Sequence, residues 1–409
     1  MRWKTVQDSG TELRDICVVG AGVLGLCAAR ELAVRGHQVT LLDAEAPFAG
    51  ASHRSFAWIN ANNKPPHAYH RLNVEGMAEH DRLQKELHGT WFHRSGAVLA
   101  ATEGSPGQRA DLLGNRLDRL RREQYPVEPV TLADLEDLEP VVRWRDFLPE
   151  GTTALYFPGE GYLDADLFAA GLLNDLASHG VTVQQGRVTH IDSTRDNARV
   201  ILDDGTALTP DAVVVAAGAA SRGFGLPVAD LSVPGARTHS FLGLTVPTDV
   251  PLGRVVISDR VNVRPRHDGR LWVQLPPVEH RVAEASDPAA LPALLDEIRH
   301  LMEIELATVF GTAVPVARVE LSARSLPEDG LPLVGFTDPH RRIYALVTHS
   351  GMTLSALLGR LVAEEVAGEP GGRGAQGDRE TAGDLLGPFR PDRPGGADPA
   401  PATPFIGRQ

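Results

Sequence analysis

The sequence predicts an α/β fold with an α+β second part, and three patterns carry that prediction. A short apolar strand ends in closely spaced glycines and opens a helix within residues 15–35. Four strand-like runs, separated by Pro or Gly, crowd into residues 239–275 and suggest an antiparallel sheet. A buried apolar strand followed by a helix then returns at residues 343–367, as expected if two sheets are built from interleaved stretches of chain.

Taken in order, Asp15 to Val19 reads as a buried strand, Gly22 to Arg35 has helical spacing, Gly36 stops the helix, and Gln38 to Leu42 is a second strand. This is a βαβ unit of about 30 residues. Gly50 to Pro66, GASHRSFAWINANNKPP, is polar and irregular with Phe56 and Trp58 embedded in it. Its aromatic content favours a functional loop. His67 to Leu87 and Gly107 to Gln124 read as helices, with a strand at Gly96 to Ala101 between them. Tyr156 to Gly161 is a turn-rich entry into a helix from Ala165 to His179. A meander follows through Val181 to Gln185, Val188 to Ser193, Arg199 to Leu202 and the Asp203-Asp204-Gly205 turn, feeding a buried strand at Ala212 to Ala216.

The four runs of the second sheet are His239 to Val246, Arg254 to Ile257, Asn262 to Arg266 and Arg270 to Leu275, with a covering helix from Pro288 to Phe310. Ile343 to Thr348 and Met352 to Ala367 complete the pattern. The expected division places residues 14–66, 150–235 and 320–368 in a Rossmann-like nucleotide-binding domain and residues 67–149 and 236–319 in a substrate domain. Residues 369–409 are Pro- and Gly-rich and expected to be mostly disordered, apart from a docking segment at Leu385 to Arg393.

Composition excludes several classes. A net charge of −13 with no basic cluster argues against nucleic acid or anionic lipid as a partner. The first residues lack an apolar segment of signal-peptide length, and the apolar run Ile16 to Leu32 is broken by glycines, so neither a leader nor a membrane span is expected and the location read is cytoplasmic. The two cysteines, Cys17 and Cys27, fall in the first strand and helix, where they read as small core fillers; neither a disulfide framework nor a metal site is expected. Lysine occurs only at positions 4, 64 and 85.

Gly20-Ala21-Gly22-Val23-Leu24-Gly25 fits GxGxxG directly after the first strand. The first glycine makes the tight turn, the second admits a diphosphate to the backbone, and the third lets helix and strand approach closely. Asp43, 18 positions after Gly25, ends the second strand where a carboxylate can accept hydrogen bonds from a ribose diol. An acid there disfavours a 2′-phosphate. The glycine-ended strand Val213 to Gly218 suits a second passage beside the same ligand.

GAGVLG with Asp43, the GASHRSFAW loop, YFPGEGYLDADL, VVVAAGAAS, ARSLPEDGLPLVG and THSGMTLS follow one another over residues 14–368. In that order they resemble the D-amino acid oxidase family of flavoproteins, which includes glycine oxidase, sarcosine oxidase and related dehydrogenases. The resemblance implies an FAD-binding domain interleaved with an antiparallel-sheet substrate domain. Carried over position by position, it implies that Gly20, Gly22, Val23, Leu24 and Gly25 hold the pyrophosphate and that Asp43 and Ala44 meet the ribose. Ser52, Ser55, Phe56 and Ala57 would run along the flavin, Val188 would meet adenine, and Ala217 and Gly218 would form the later cofactor turn. His349, Ser350, Gly351, Met352 and Thr353 match the segment leading into the last helix beside the ring, with His349 a catalytic candidate. Arg324, five positions before Asp329, matches the carboxylate-binding arginine, a planar fork that fixes a carboxylate at two points. Arg264 and Trp272, on neighbouring strands, are further candidates for the substrate pocket or for the scaffold around it.

The implied activity is oxidation of the C–N bond of an amino acid or amine to an imine by hydride transfer to flavin N5, with O2 as acceptor and hydrogen peroxide as product. Alternatives are a dehydrogenase delivering electrons to a quinone or protein, and a flavin-dependent monooxygenase. In some family members a lysine near the ring assists oxygen reduction. No lysine falls in the antiparallel-sheet stretch from His239 to Phe310, so either an arginine or histidine takes that part or oxygen reacts slowly. Relatives that bind flavin covalently use a cysteine in the C-terminal third, which this chain lacks, or a histidine one place later than His53. FAD is therefore expected to be dissociable. Acid precipitation should release the yellow colour into the supernatant; a yellow pellet would contradict non-covalent binding.

Overall fold

The structure, a computed structural model, describes residues 14–102, 104–149, 152, 154–232, 234–235, 237–367 and 382–393. Most of the stretch expected to be a disordered tail lies outside the described residues.

Strand β1 (Asp15–Val19), helix α1 (Val23–Val34) and strand β2 (Gln38–Asp43) form the βαβ unit within a residue of the sequence reading. They belong to a six-stranded sheet in the order Leu333–Phe336, Ile343–Val347, Ala212–Val215, β1, β2 and Thr182–Gln185. All neighbours are parallel except the first pair. β1 is central and covered on both faces, which explains its unbroken apolar run. Ile16 and Val18 join α1 and the helix Gly351–Ala367 in one core, while Cys17 and Val19 pack with Val200 and Leu202 in another. Burial pushes both thiols up to about 12, so they are inert at neutral pH.

The second sheet has eight strands, in the order Val316–Ala323, His239–Thr245, Leu271–Gln274, Asn262–Pro265, Val255–Ser258, Ala97–Ala100, Ala154–Phe157 and Glu128–Val130. It is antiparallel except where Val255–Ser258 runs parallel to Ala97–Ala100. One face carries Phe241, Leu271 and Val273 against Ile298, Met302 and Leu306 of the helix Leu291–Phe310. The other face turns towards the first sheet.

Two features depart from the sequence reading. Val316–Ala323 is an edge strand whose period-two pattern is broken by a bulge, since Leu244 pairs with Arg318 and Thr245 with Val316, leaving Ala317 as the extra residue. The loop expected between Gly50 and Pro66 contains a short strand, Trp58–Ile59, and the FPGEG turn continues into another, Gly161–Leu163, with which it pairs. Phe92–His93 completes that three-stranded sheet. Two-residue strands leave too short a pattern to be read as periodic.

The glycine turn is stereochemically obligatory. Gly20 has φ +106°, and a Cβ added there would overlap the Ala216 carbonyl oxygen. A Cβ on Gly25 would overlap the Gly20 carbonyl oxygen, so α1 meets its own turn backbone to backbone. The helix Gly351–Ala367 crosses α1 as closely, at Gly359, where an added Cβ would lie 2.7 Å from the Cys27 carbonyl carbon.

Residues 382–393 dock on this layer. Phe389 is buried edge-on to Tyr69, Arg390 pairs with Glu365, and Arg393 grips both oxygens of Asp329. No described helix is long and apolar enough to cross a membrane. Gly359→Leu should cost about 2–3 kcal/mol by forcing the two helices apart, read as a lower urea midpoint at unchanged slope; an unchanged midpoint would show that the crossing has slack.

Candidate functional site

A cavity of about 580 Å³ opens where the C-terminal ends of β1 and β2 face the second sheet. That size is typical of a small-molecule or cofactor site, and the position outside the carboxyl ends of parallel strands is where doubly wound folds place ligands. Its walls come from both sheets, from Val19 and Leu42 on one side to Ser240, Gln274 and Ser322 on the other.

At the nucleotide end, Gly20, Gly22, Val23 and Leu24 line the cavity. Gly25 does not, because it is buried in the contact between helix and turn. The first amides of α1 have no intrahelical acceptors, and the Val23 amide donates to Ser52 Oγ at 3.0 Å. Asp43 lines the same end beside Ala44. Its Oδ2 accepts from the Ala21 amide at 2.6 Å and its Oδ1 from the Glu45 amide at 2.9 Å, leaving acceptor capacity for a diol. Val188 and the neighbouring Arg187 form the far corner, and Ala217 with Gly218 lie across from α1. A helix N-terminus, an anchored carboxylate and bare main chain suit a diphosphate joined to a ribose.

The middle is walled by Ser55, Phe56 and Ala57. This loop is bonded to the second sheet: Ser322 Oγ donates to the Arg54 carbonyl, and Arg264 Nε donates to the Phe56 carbonyl. Ala57 takes φ +50°, an unusual conformation for a residue with a Cβ, supported by its amide donating to Ser55 Oγ at 3.0 Å. Opposite stands the turn from His349 to Thr353, all five residues of which line the cavity. Helix α2 (His67–Glu86) holds that turn in place. Tyr69 Oη and Ser350 Oγ are 2.6 Å apart, His80 Nε2 lies 2.6 Å from the Met352 carbonyl oxygen, and Gly76 lets Thr353 approach.

Two expected pocket residues are not brought to the cavity. Arg264 is fully buried, packed over Tyr162, with Asp164 at 3.7 Å; its Nε and Nη1 donate to the Phe56 and Pro265 carbonyls, and its Nη2 has no hydrogen-bond partner among the described residues. It is scaffold. Trp272 is buried in the main core, and on the same face of its strand Gln274, two residues on, reaches the cavity instead. A step of two residues moves a side chain by roughly 7 Å along one face, so the sequence identified the face but not the position. Gln274 is buried, and its Nε2 donates to Ser240 Oγ at 3.4 Å.

Arg324 does line the cavity, extending from the end of Val316–Ala323 with its Nη2 3.3 Å from Glu279 Oε1. Lys64 also lines it and is buried. The sequence reading kept lysine away from the site because none lies in the antiparallel-sheet stretch from His239 to Phe310; the loop before α2 carries Lys64 there. Burial lowers its ammonium to about 8, with Glu160 opposing and Arg324 reinforcing the shift. Glu160, from the FPGEG turn, is raised to about 7 by burial, while Tyr125 Oη at 2.6 Å and Asn62 Nδ2 at 3.0 Å donate to its carboxylate. The rarity of lysine and its place in an aromatic-rich loop were the available signals for Lys64. His53, the histidine in the glycine-serine loop, is partly exposed beside Asp166 at 3.4 Å and does not line the cavity. No group of three or more His, Cys, Asp or Glu able to hold a metal occurs among the described residues.

Fold and cavity define a protein whose glycine turn and anchored carboxylate suit a dinucleotide, at one end of a cavity walled by a Rossmann-like sheet and an antiparallel one. Residues 15–365 match the DAO family of FAD dependent oxidoreductases. Glycine oxidase from Geobacillus kaustophilus is 26% identical over 372 residues, spanning 87% of this chain and 93% of that protein. Monomeric sarcosine oxidase from a Bacillus species is 26% identical over 214 residues, half of this chain and 51% of that one. The crystal structure of the Geobacillus glycine oxidase superposes with a TM-score of 0.72 at 23% identity, covering 94% of this chain and 99% of that one. The chain belongs to the DAO family of FAD dependent oxidoreductases, and FAD is its cofactor.

The buried Arg264 yields a direct test. Arg264→Met should destabilise the protein by about 3 kcal/mol or more, because Asp164 and the Phe56 carbonyl lose a buried partner. An unchanged denaturation midpoint with a raised KM would return Arg264 to the substrate site.

Proposed function

We propose that this enzyme oxidises the C–N bond of an amino acid or secondary amine to an imine, which water hydrolyses, and that dioxygen takes up the electrons as hydrogen peroxide. The observation that carries the reading is Arg324. It places a permanent cation on the second-sheet side of a cavity whose other end is built for a diphosphate. The names of two relatives, glycine oxidase and sarcosine oxidase, supply the substrate class.

In this reading the glycine turn and the first turn of α1 hold the pyrophosphate, Asp43 the ribose, and Val188 the adenine side. The Ser52–Ala57 loop and the His349–Thr353 turn flank the flavin ring. When bound, FAD supplies a hydride-accepting ring. Arg324 fixes the substrate carboxylate, which removes rotational freedom and turns the carbon bearing nitrogen towards that ring. Glu279 restrains Arg324 through one nitrogen, and the remaining guanidinium donors are directed by that contact. Gln274 and Ser240 supply further polar groups on the same wall. Amides at the start of the helix Gly351–Ala367 lie where developing negative charge on a ligand would be stabilised. The loop carrying His53 directs that side chain away, which supports non-covalent FAD.

Lys64 supports dioxygen as acceptor, because it can set a cation at the cavity wall. Peroxide formed per substrate consumed should approach one, and dye reduction under nitrogen should not exceed turnover in air; the reverse ratio would favour a dehydrogenase with a quinone or protein acceptor.

Arg324→Ala should weaken carboxylated substrates by about 2–5 kcal/mol, measured as the concentration needed for anaerobic bleaching, while the FAD spectrum stays in place. Amines without a carboxylate should be little affected. Equal effects on both classes would remove Arg324 from the carboxylate role.

A further inference from the structure

Two sequence motifs converge on one buried cluster for which the binding of FAD gives no reason. The segment Ala61 to Lys64 and the FPGEG turn meet at Glu160. Glu160 accepts hydrogen bonds from Tyr125, from Asn62 and, at 3.4 Å, from the Ala61 amide. Asn62 is fixed from behind by Arg116, whose Nη1 donates to its Oδ1 at 3.3 Å, and by Arg119, whose Nη2 donates to its carbonyl oxygen at 2.5 Å. The result is a carboxylate held rigidly by its neighbours, whose charge acts on Lys64, a buried residue lining the cavity that Arg324 also lines.

We propose that Lys64 is a catalytic residue that takes the proton from the substrate's ammonium nitrogen, with Glu160 as the positioning residue behind it. The proposal rests on the amine-oxidation reading. Loss of hydride from the carbon requires the nitrogen lone pair to form the C=N bond, and an ammonium has none. In the step, the Nζ lone pair of neutral Lys64 forms an N–H bond. The substrate N–H bond breaks and its electron pair stays on the substrate nitrogen. Lys64 becomes an ammonium, the form Glu160 favours; the proton only changes carrier, so no net charge is created in the cavity and no further reactant is consumed.

The groups facing Lys64 fit that role. Glu160 favours its charged form and Arg324 disfavours it, while burial brings it into the range where a base is useful near neutral pH. His349 and Arg54 also line the cavity, Tyr125 donates to Glu160 directly, and Arg116 acts through Asn62. An arginine in place of Lys64 could hold a carboxylate but could not accept a proton.

The test uses the FAD-loaded enzyme and the member of a panel of D-, L- and N-methyl amino acids that bleaches the flavin fastest. For the parent, the rate of anaerobic bleaching at limiting substrate should rise with pH through a group near 8, as Lys64 becomes neutral. In Lys64→Met that limb should move towards ~10, where an aliphatic amine loses its own proton, with a loss of roughly 10²-fold at pH 7 that recovers at high pH. Glu160→Gln should move the limb to lower pH, since the charge favouring the lysine ammonium is gone. A second readout does not depend on turnover. With an amino acid lacking an α-hydrogen, calorimetry in two buffers should count about one proton released per ligand at pH 7 and near zero at pH 9, a change abolished in Lys64→Met. A Lys64→Met enzyme that keeps the parent's limb, or that binds more weakly at every pH with the limb unmoved, overturns the lysine assignment alone. Failure of every amine to bleach the parent overturns the amine-oxidation reading and this inference with it.

Discussion

Helix α1 lies against its own preceding turn and against the last helix at backbone distance, and everything at the site is referred to that contact. Gly25 meets the Gly20 carbonyl, and Gly359 meets the main chain at Cys27, so neither crossing can be relaxed by moving a side chain. Because α1 cannot slide, its first amides face one fixed direction. Ser52 and Asp43 can then reach the Val23 and Ala21 amides from separate segments. The last helix inherits the same reference. Its first turn, His349 to Thr353, is set against the cavity by the crossing at Gly359 and by α2 through Tyr69 and His80.

The second sheet supplies what the first cannot, which is control of the long loop from Gly50 to Lys64. A surface loop of that length would ordinarily be mobile. Here Ser322 holds the Arg54 carbonyl, Arg264 the Phe56 carbonyl, and Glu160 the amide of Ala61 and the side chain of Asn62. Three of these bonds end on main-chain atoms, so they fix the path of the loop whatever its side chains do. Burying Arg264 and Glu160 carries a desolvation cost, offset by hydrogen bonds and by Asp164 and Lys64 as counter-charges. The cost falls on residues that do not line the cavity.

The nucleotide end was legible in the sequence because its chemistry is local. Gly20 to Gly25 are consecutive, and Asp43 sits one helix and one strand away, so spacing alone places them together. The substrate end is assembled from positions far apart in the chain, and there the reading was partial. Trp272 marked the correct face of its strand while Gln274 occupies the cavity, since alternation reports face and not depth. Arg264 looked like a ligand-binding cation because nothing in the sequence reveals that Asp164, 100 residues earlier, pairs with it. Val316–Ala323 was hidden by a bulge that breaks its alternation. Assignment of lysine by domain failed for a related reason: a loop belonging to one domain forms the wall of a cavity shared by two.

The choice of cation at that wall has a chemical consequence. Of forty cationic side chains in the chain only three are lysines, and one of the three is buried in the cavity. Arginine is the cheaper residue to bury when a fixed charge is wanted, because its guanidinium spreads the charge and stays protonated. Lysine is the residue that can lose its charge under the same burial. In the proposed reaction Arg324 and Lys64 divide the work at the cavity wall, one as a permanent anchor and the other as a group whose charge depends on its surroundings. The carboxylate partners follow the same division: Glu279 touches the arginine directly, whereas Glu160 is locked by neutral donors, Tyr125 and Asn62, that hold it in place while its neighbour changes state.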